Sequence, residues 1–190
     1  MMATTQFEVL NWKMSHLALR PSEEHYDPKE EEIIIKDRLN KCLRHYDVIL
    51  RYCKEVQETT GLSLFAQYST GAITICISLS SFLIPMTHED FVILVCYIAG
   101  MTVEIFYPAY LGAELTEKSE NLIFSVYCGD WISRPESYKR SLRLMLERAN
   151  KPVVITCLKM FELSLITFTS VMKSAYSFFT LLKCLLERQQ

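Results

Sequence analysis

Leu62–Ile84, LSLFAQYSTGAITICISLSSFLI, carries no charged side chain across its 23 positions. At about 1.5 Å per residue, a helix of that length covers the roughly 30 Å hydrocarbon of a bilayer, so the stretch predicts a membrane span. Gln67, Thr70, Thr74, Ser78 and Ser81 recur within it every three or four residues, with Gly71 among them. Small and weakly polar residues at that spacing mark the side of a membrane helix that meets other helices. Pro85 ends the run, because it has no N–H to continue the ladder.

Downstream, residues 86–90 leave room only for a tight turn, so the next apolar run, Phe91–Gly112, must return antiparallel. It contains one acid, Glu104, and a proline, Pro108, that predicts a kink. An acid at the centre of a span costs about 3 kcal/mol on insertion scales. Glu104 is therefore expected to face a partner helix or water, or to lie close to the boundary. Tyr97 and Met101 fall in the outer half of the same run.

A third long apolar segment closes the chain, KPVVITCLKMFELSLITFTSVMKSAYSFFTLLKCLLER from Lys151 to Arg188. At helical spacing Leu165, Phe168, Met172, Ala175, Phe179, Leu182 and Leu186 share one side, and Thr169, Ser170, Lys173, Ser177 and Thr180 share another. An amphipathic helix of a soluble bundle has this pattern, and so does a membrane helix whose polar side borders water. The two charge-poor spans before it favour the membrane reading.

Toward the N-terminus, Phe7, Val9, Leu10, Met14, Leu17 and Leu19 recur at roughly helical period. Residues 21–27 form a polar loop, and Asp27, Pro28 and Glu30 supply an N-cap, a first-turn proline and an acid at the positive helix end. From there Ile35, Leu39, Cys42, Leu43, Tyr46, Ile49, Leu50, Cys53 and Val56 make the apolar stripe of an amphipathic helix, with Gly61 as its expected break. Between the second and third spans, Ser133 and Glu136 form a capping box before a short helix whose stripe is Tyr138, Leu142, Met145, Leu146 and Ala149. Both stripes are expected to bury against other subunits or further helices. Lys118, Arg134, Lys139, Arg140, Arg143, Arg148 and Lys151 crowd this connection, whereas residues 85–90 hold no lysine or arginine. By the positive-inside rule the N-terminus is cytoplasmic and the C-terminus external.

The predicted organisation is therefore a cytoplasmic helical region 1–60, a span 61–85, an external turn 86–90 and a span 91–112. A cytoplasmic anchor region 113–152 follows, with a helix at 138–149, then an outward helix 153–186 and an external tail 187–190. The fold class is an all-α membrane protein with three transmembrane helices and cytoplasmic amphipathic helices. Half of the residues are hydrophobic and the formal net charge is −2, with acids and bases interleaved, which argues against nucleic acid as a partner. The seven cysteines contain no CxxC pair and read as small hydrophobes. No signal peptide is visible, and no GxSxG, HExxH or Walker pattern is present. His16, His25, His45 and His88 lie far apart. Neither an enzyme nor a cofactor is expected; an intramembrane lysine beside a polar stripe points to conduction or transport.

Several tracts together resemble the C-terminal half of an insect odorant receptor, the seven-helix membrane family. They are FEVL at 7–10, His45-Tyr46 on the amphipathic helix, the 62–84 span with Cys76, SVYCGDW at 125–131, and the closing tract Arg148–Leu182, above all AYSFFTLLK at 175–183. The related gustatory receptors end in a TY and QF pattern that this chain lacks. The resemblance implies an odorant-binding subunit of a ligand-gated, non-selective cation channel in the plasma membrane, assembled as a hetero-tetramer with a co-receptor. Its three spans would be the last three of seven, and the final helix would line the pore through Thr169, Ser170, Lys173, Ser177 and Thr180. Tyr138, Leu142, Met145, Leu146 and Ala149 would belong to the anchor where subunits meet. Tyr97 and Met101 would border the pocket for a small volatile ligand, most of which the four preceding helices supply in that family. Without those helices the alternatives are a non-conducting membrane interaction protein or a gustatory-receptor relative.

Overall fold

The computed structural model describes residues 1–17, 28–129, 131–132, 134–158 and 160–188, with the side chains of residues 28, 29, 186 and 187 excepted. The elements are α1 (Met2–Ser15), α2 (Pro28–Ser81), α3 (His88–Tyr127), α4 (Glu136–Ala149), a two-stranded antiparallel hairpin of β1 (Thr156–Cys157) and β2 (Phe161–Glu162), and α5 (Leu165–Glu187). They divide into two units, residues 1–56 with 114–154 and residues 57–113 with 155–190.

In the first unit every helix buries a row at alternating spacings of three and four. The rows are Phe7, Leu10, Met14 and Leu17, then Ile35, Leu39, Cys42, Tyr46, Ile49 and Cys53, then Leu115, Ser119, Leu122 and Val126, and last Tyr138, Leu142, Met145 and Ala149. That spacing keeps one seam of a helix facing its neighbours, as in a helical bundle. Phe7 meets Tyr46 edge to face with ring centroids 6.4 Å apart. The Asn11 amide donates to the Lys118 carbonyl at 3.0 Å, and Lys118 pairs with Glu8 at 3.2 Å. Arg148 binds Asp47 at 2.7 Å, and the more enclosed Arg134–Glu31 pair lies at 3.3 Å.

Both amphipathic stripes are buried inside this one chain, where burial against other subunits or further helices was expected. Tyr138, Leu142, Met145 and Ala149 are each no more than 6 % exposed and Leu146 is half-buried, so they seat α4 on its own unit. The side of α4 turned away from this stripe exposes Arg140, Leu144 and Glu147.

The second unit is built on Tyr68, Ile75, Ile105, Ala109, Cys157, Leu163 and Ala175. Around that small core the outward faces stay apolar, with Ile73, Ile77, Ile93, Val103 and Ile166 each at least 60 % exposed. Among the described residues α2, α3 and α5 are three helices long and apolar enough to cross a membrane, and hydrocarbon is the solvent such outward faces match.

Several expected boundaries move. The break at Gly61 is absent, since α2 runs unbroken from Pro28 to Ser81. Gly61 instead lets the helix approach the hairpin, because a Cβ there would lie 3.7 Å from the Thr156 carbonyl oxygen and 3.8 Å from the Leu158 nitrogen. The turn is shorter than residues 86–90, because His88–Asp90 already form the first turn of α3. Thr87 caps that turn, donating to the Asp90 carboxylate at 2.6 Å and accepting from the Asp90 N–H at 3.3 Å. Its far end extends past Gly112 to Tyr127, because Glu117 and Glu120 lie on an exposed face opposite the buried row.

Helix α4 starts at Glu136 with Pro135 as its N-cap, and Ser133 of the expected capping box lies outside the described residues, as do Asp27 and Lys159. The largest shift concerns the final span, expected over 153–186 but helical only from Leu165. Residues 153–164 instead carry the hairpin, with the Leu163 N–H bonded to the Ile155 carbonyl at 2.8 Å and the Met160 N–H to the Cys157 carbonyl at 2.9 Å. Pro152 and the β-branched run Val153, Val154, Ile155 and Thr156 favour extended backbone there.

Candidate functional site

Helix α5 begins where Ser164 accepts the Thr167 N–H at 3.3 Å, an N-cap that stops the helix from reaching back into the hairpin. Thr167 also ties its hydroxyl to the Glu162 carbonyl at 2.7 Å. From this fixed start the face of each later residue follows from the 3.6-residue period. Ala175 is 1 % exposed, and Phe168, Val171, Met172, Phe179 and Leu182 are half-buried on the same side. Phe168 meets Phe106 of α3 edge to face at 5.4 Å.

Thr169, Ser170, Lys173, Ser177 and Thr180 are all exposed, away from that packed side. The hydroxyl protons of Thr169, Ser170 and Thr180 turn back on the helix. Thr169 donates to the Leu165 carbonyl at 2.5 Å, Ser170 to Ile166 at 3.0 Å and Thr180 to Ser177 at 2.8 Å. A hydroxyl whose proton is so engaged presents its oxygen lone pairs outward, so this face offers acceptors in a row, with the Lys173 ammonium among them. Two members escaped the sequence reading. Ser174 is exposed and donates to the Ser170 carbonyl at 2.9 Å, and Tyr176 is 65 % exposed one turn beyond Lys173. The i, i+3 spacing from Lys173 to Tyr176 was the available signal.

Tyr97 is 49 % exposed, whereas Met101 packs against the core of the second unit. Nearby, α3 continues through Pro108. A proline cannot donate to the carbonyl four residues earlier, here that of Glu104. Helix α2 supplies the missing donor, since the Gln67 amide reaches the Glu104 carbonyl at 3.3 Å and its carboxylate at 3.4 Å. The Tyr68 hydroxyl donates to the next carbonyl, Ile105, at 3.0 Å. Gln67→Ala is thus expected to destabilise the reconstituted chain by about 1 kcal/mol and to be near neutral in a Pro108→Ala background, where the helix bonds to itself. Thermal unfolding of the four members of this cycle measures the coupling, and equal effects of Gln67→Ala in both backgrounds would remove it.

Among the described residues no three His, Cys, Asp or Glu side chains cluster with metal-ligand geometry. The chemistry on offer is a hydroxyl-lined helix face and aromatic packing.

A family model described as 7tm Odorant receptor matches residues 1–176. Odorant receptor 23a of Drosophila melanogaster is 27 % identical over 167 residues, covering 87 % of this chain and 44 % of the relative. Odorant receptor 10 of Aedes albopictus is also 27 % identical, over 75 % of this chain and 38 % of the relative. Among solved structures, the insect olfactory receptor OR5 from Machilis hrabei in complex with eugenol superposes with a TM-score of 0.82 at 16 % identity, covering 97 % of this chain and 45 % of that one. A second structure of OR5 gives 0.79 at 17 % identity. The chain thus spans less than half the length of each of these proteins.

Proposed function

From the premise that the chain belongs to the 7tm odorant receptor family, we propose that it forms the final three spans of an odorant-gated cation channel subunit. Helices α2, α3 and α5 take the places of the fifth, sixth and seventh helices. The complete subunit sits in the plasma membrane as a hetero-tetramer with a co-receptor and binds a small volatile organic ligand, the class to which the eugenol of the Machilis complex belongs. Tyr97 remains a pocket candidate through its exposure, and Met101 contributes only from the packed side. The N-terminus is cytoplasmic and the C-terminus external, a reading supported by the lysines and arginines between Lys118 and Lys151 and their absence from residues 82–87.

The observation that carries the proposal is the exposed row Thr169, Ser170, Ser177 and Thr180, in which Thr169, Ser170 and Thr180 turn their protons inward. In a water-filled path those oxygens stabilise a passing cation, and Lys173 escapes the cost of about 3 kcal/mol that hydrocarbon at a helix centre would impose. Because a ring of lysines opposes cation flow, Lys173 turns toward outer headgroups or a carboxylate of another subunit, and the hydroxyl positions lead.

Cysteine at Ser170, Ser177 or Thr180, in a full-length receptor carrying this segment and co-expressed with the co-receptor, is expected to react with a water-soluble thiol reagent and alter the ligand-evoked current. Cysteine at Phe168 or Phe179 is expected to be silent. The reverse pattern would turn the hydroxyl row into ordinary helix packing. No ligand-evoked current in the unsubstituted assembly would favour a non-conducting interaction protein.

A further inference from the structure

Where α3 ends, the first unit holds a cavity of about 130 Å³ lined by Tyr127, Trp131, Lys139, Leu142, Arg143 and Leu146. The four α4 residues stand at i, i+3, i+4 and i+7, so one side of that helix supplies two leucines flanked by two cations. Tyr127 and Trp131 close the other wall, edge to face with centroids 6.4 Å apart. Nothing in the conduction reading employs this place.

We propose that the cavity binds a small hydrophobic carboxylate. Its volume is below that of pockets for drug-sized ligands, and it suits a single ring or short branched chain resting on Leu142 and Leu146 between the aromatic walls. The cations select the acid. The described carboxylate beside them is Glu136, whose oxygens stand 3.6 Å from the Lys139 ammonium and 3.8 Å from the Arg143 guanidinium. Both pairs are long, and Glu136 and Arg143 are 77 % and 71 % exposed, so they hold the cations weakly. A ligand carboxylate anchored by its apolar part displaces Glu136 and makes shorter, charge-assisted bonds.

The chain has two tryptophans, Trp12 and Trp131, so Trp12→Phe makes Trp131 the sole indole reporter. The full chain carrying that substitution, in nanodiscs of neutral lipid, is titrated with 3-phenylpropionate and, separately, with the neutral 3-phenylpropan-1-ol. The acid is expected to shift Trp131 emission saturably, with a Kd on the order of 1 mM for a ligand of this size. The alcohol, and the acid on the Lys139→Gln/Arg143→Gln variant, are each expected to bind about ten-fold more weakly, and Glu136→Gln to tighten the acid several-fold. Lys139→Arg and Arg143→Lys should retain binding, which separates lost charge from lost fold. If the glutamine variant does not fold, the preference of the unsubstituted cavity for acid over alcohol decides. Equal titration by acid and alcohol, an unchanged response in the folded glutamine variant, or no response by about 10 mM acid would overturn the proposal.

Discussion

Gly112→Val is expected to cut the yield of folded, reconstituted protein about ten-fold or more, the largest loss from any single substitution in the second unit. Forcing extra atoms into a packed contact costs about 1–3 kcal/mol and sometimes more, and each 1.4 kcal/mol is a factor of ten in the folded ratio. Gly112 lies at the upper end because a Cβ there would fall on the Leu163 carbonyl oxygen, with the Leu163 Cγ 3.0 Å and Cβ 3.1 Å away. Backbone cannot rotate aside as a side-chain tip can. Leu163 is fixed in turn by the bond from its N–H to the Ile155 carbonyl at 2.8 Å. Gly71 supplies the comparison, since its Cβ would meet the Ile105 Cδ1 at 2.7 Å. That atom is the end of a flexible chain, so Gly71→Ala should lose less. Size-exclusion recovery and far-UV circular dichroism of both variants measure the difference, and a Gly112→Val protein recovered at full yield would show that the hairpin seat yields easily.

Phe7→Ala is expected to destabilise the first unit by about 3–5 kcal/mol, the usual range for removing a fully buried aromatic ring. Phe7 is 0 % exposed, as is Leu10 one turn later. Removing the ring also deprives Tyr46 of its edge contact at 6.4 Å. Side chains such as these, with the Asn11–Lys118 bond at 3.0 Å, hold α1 on its unit. Limited proteolysis should therefore cut Phe7→Ala within α1 at protease concentrations that leave the parent intact. Trp12→Phe, at a position 62 % exposed, should leave the cleavage pattern unchanged.

The two faces of α5 were legible in the sequence because one period holds from Leu165 to Leu182, and lipid-length apolar runs announced α2 and α3 for the same reason. What the sequence hid were effects that need a partner in space. Glu117 and Glu120 look like a loop until the row Leu115, Ser119, Leu122 and Val126 is seen buried behind them. Val153–Cys157 is as apolar as a helix interior, and only the pairing of Thr156 with Glu162 reveals a hairpin. Gly61 and Gly112 read as breaks or boundaries, although both lie inside helices where the hairpin segment comes close. The stripe on α4 was correctly identified as apolar, but periodicity carries no address, and it could not say that the cover is this chain's own helices. The hydroxyl row was found for its composition, whereas the inward turn of its protons required the coordinates.

The gap that Pro108 leaves in α3 also decides how the second unit can move. An uninterrupted helix may roll about its axis against a smooth neighbour, exchanging one set of dispersion contacts for another at little cost. Here the neighbour supplies the donor that Pro108 lacks, through Gln67 to Glu104, and Tyr68 adds a second bond to Ile105. Rolling either helix by even a fraction of a turn would take the Gln67 amide away from the Glu104 carbonyl, which has no other donor in its own helix. The two helices are therefore geared together, and a displacement delivered to one is handed to the other with its phase preserved.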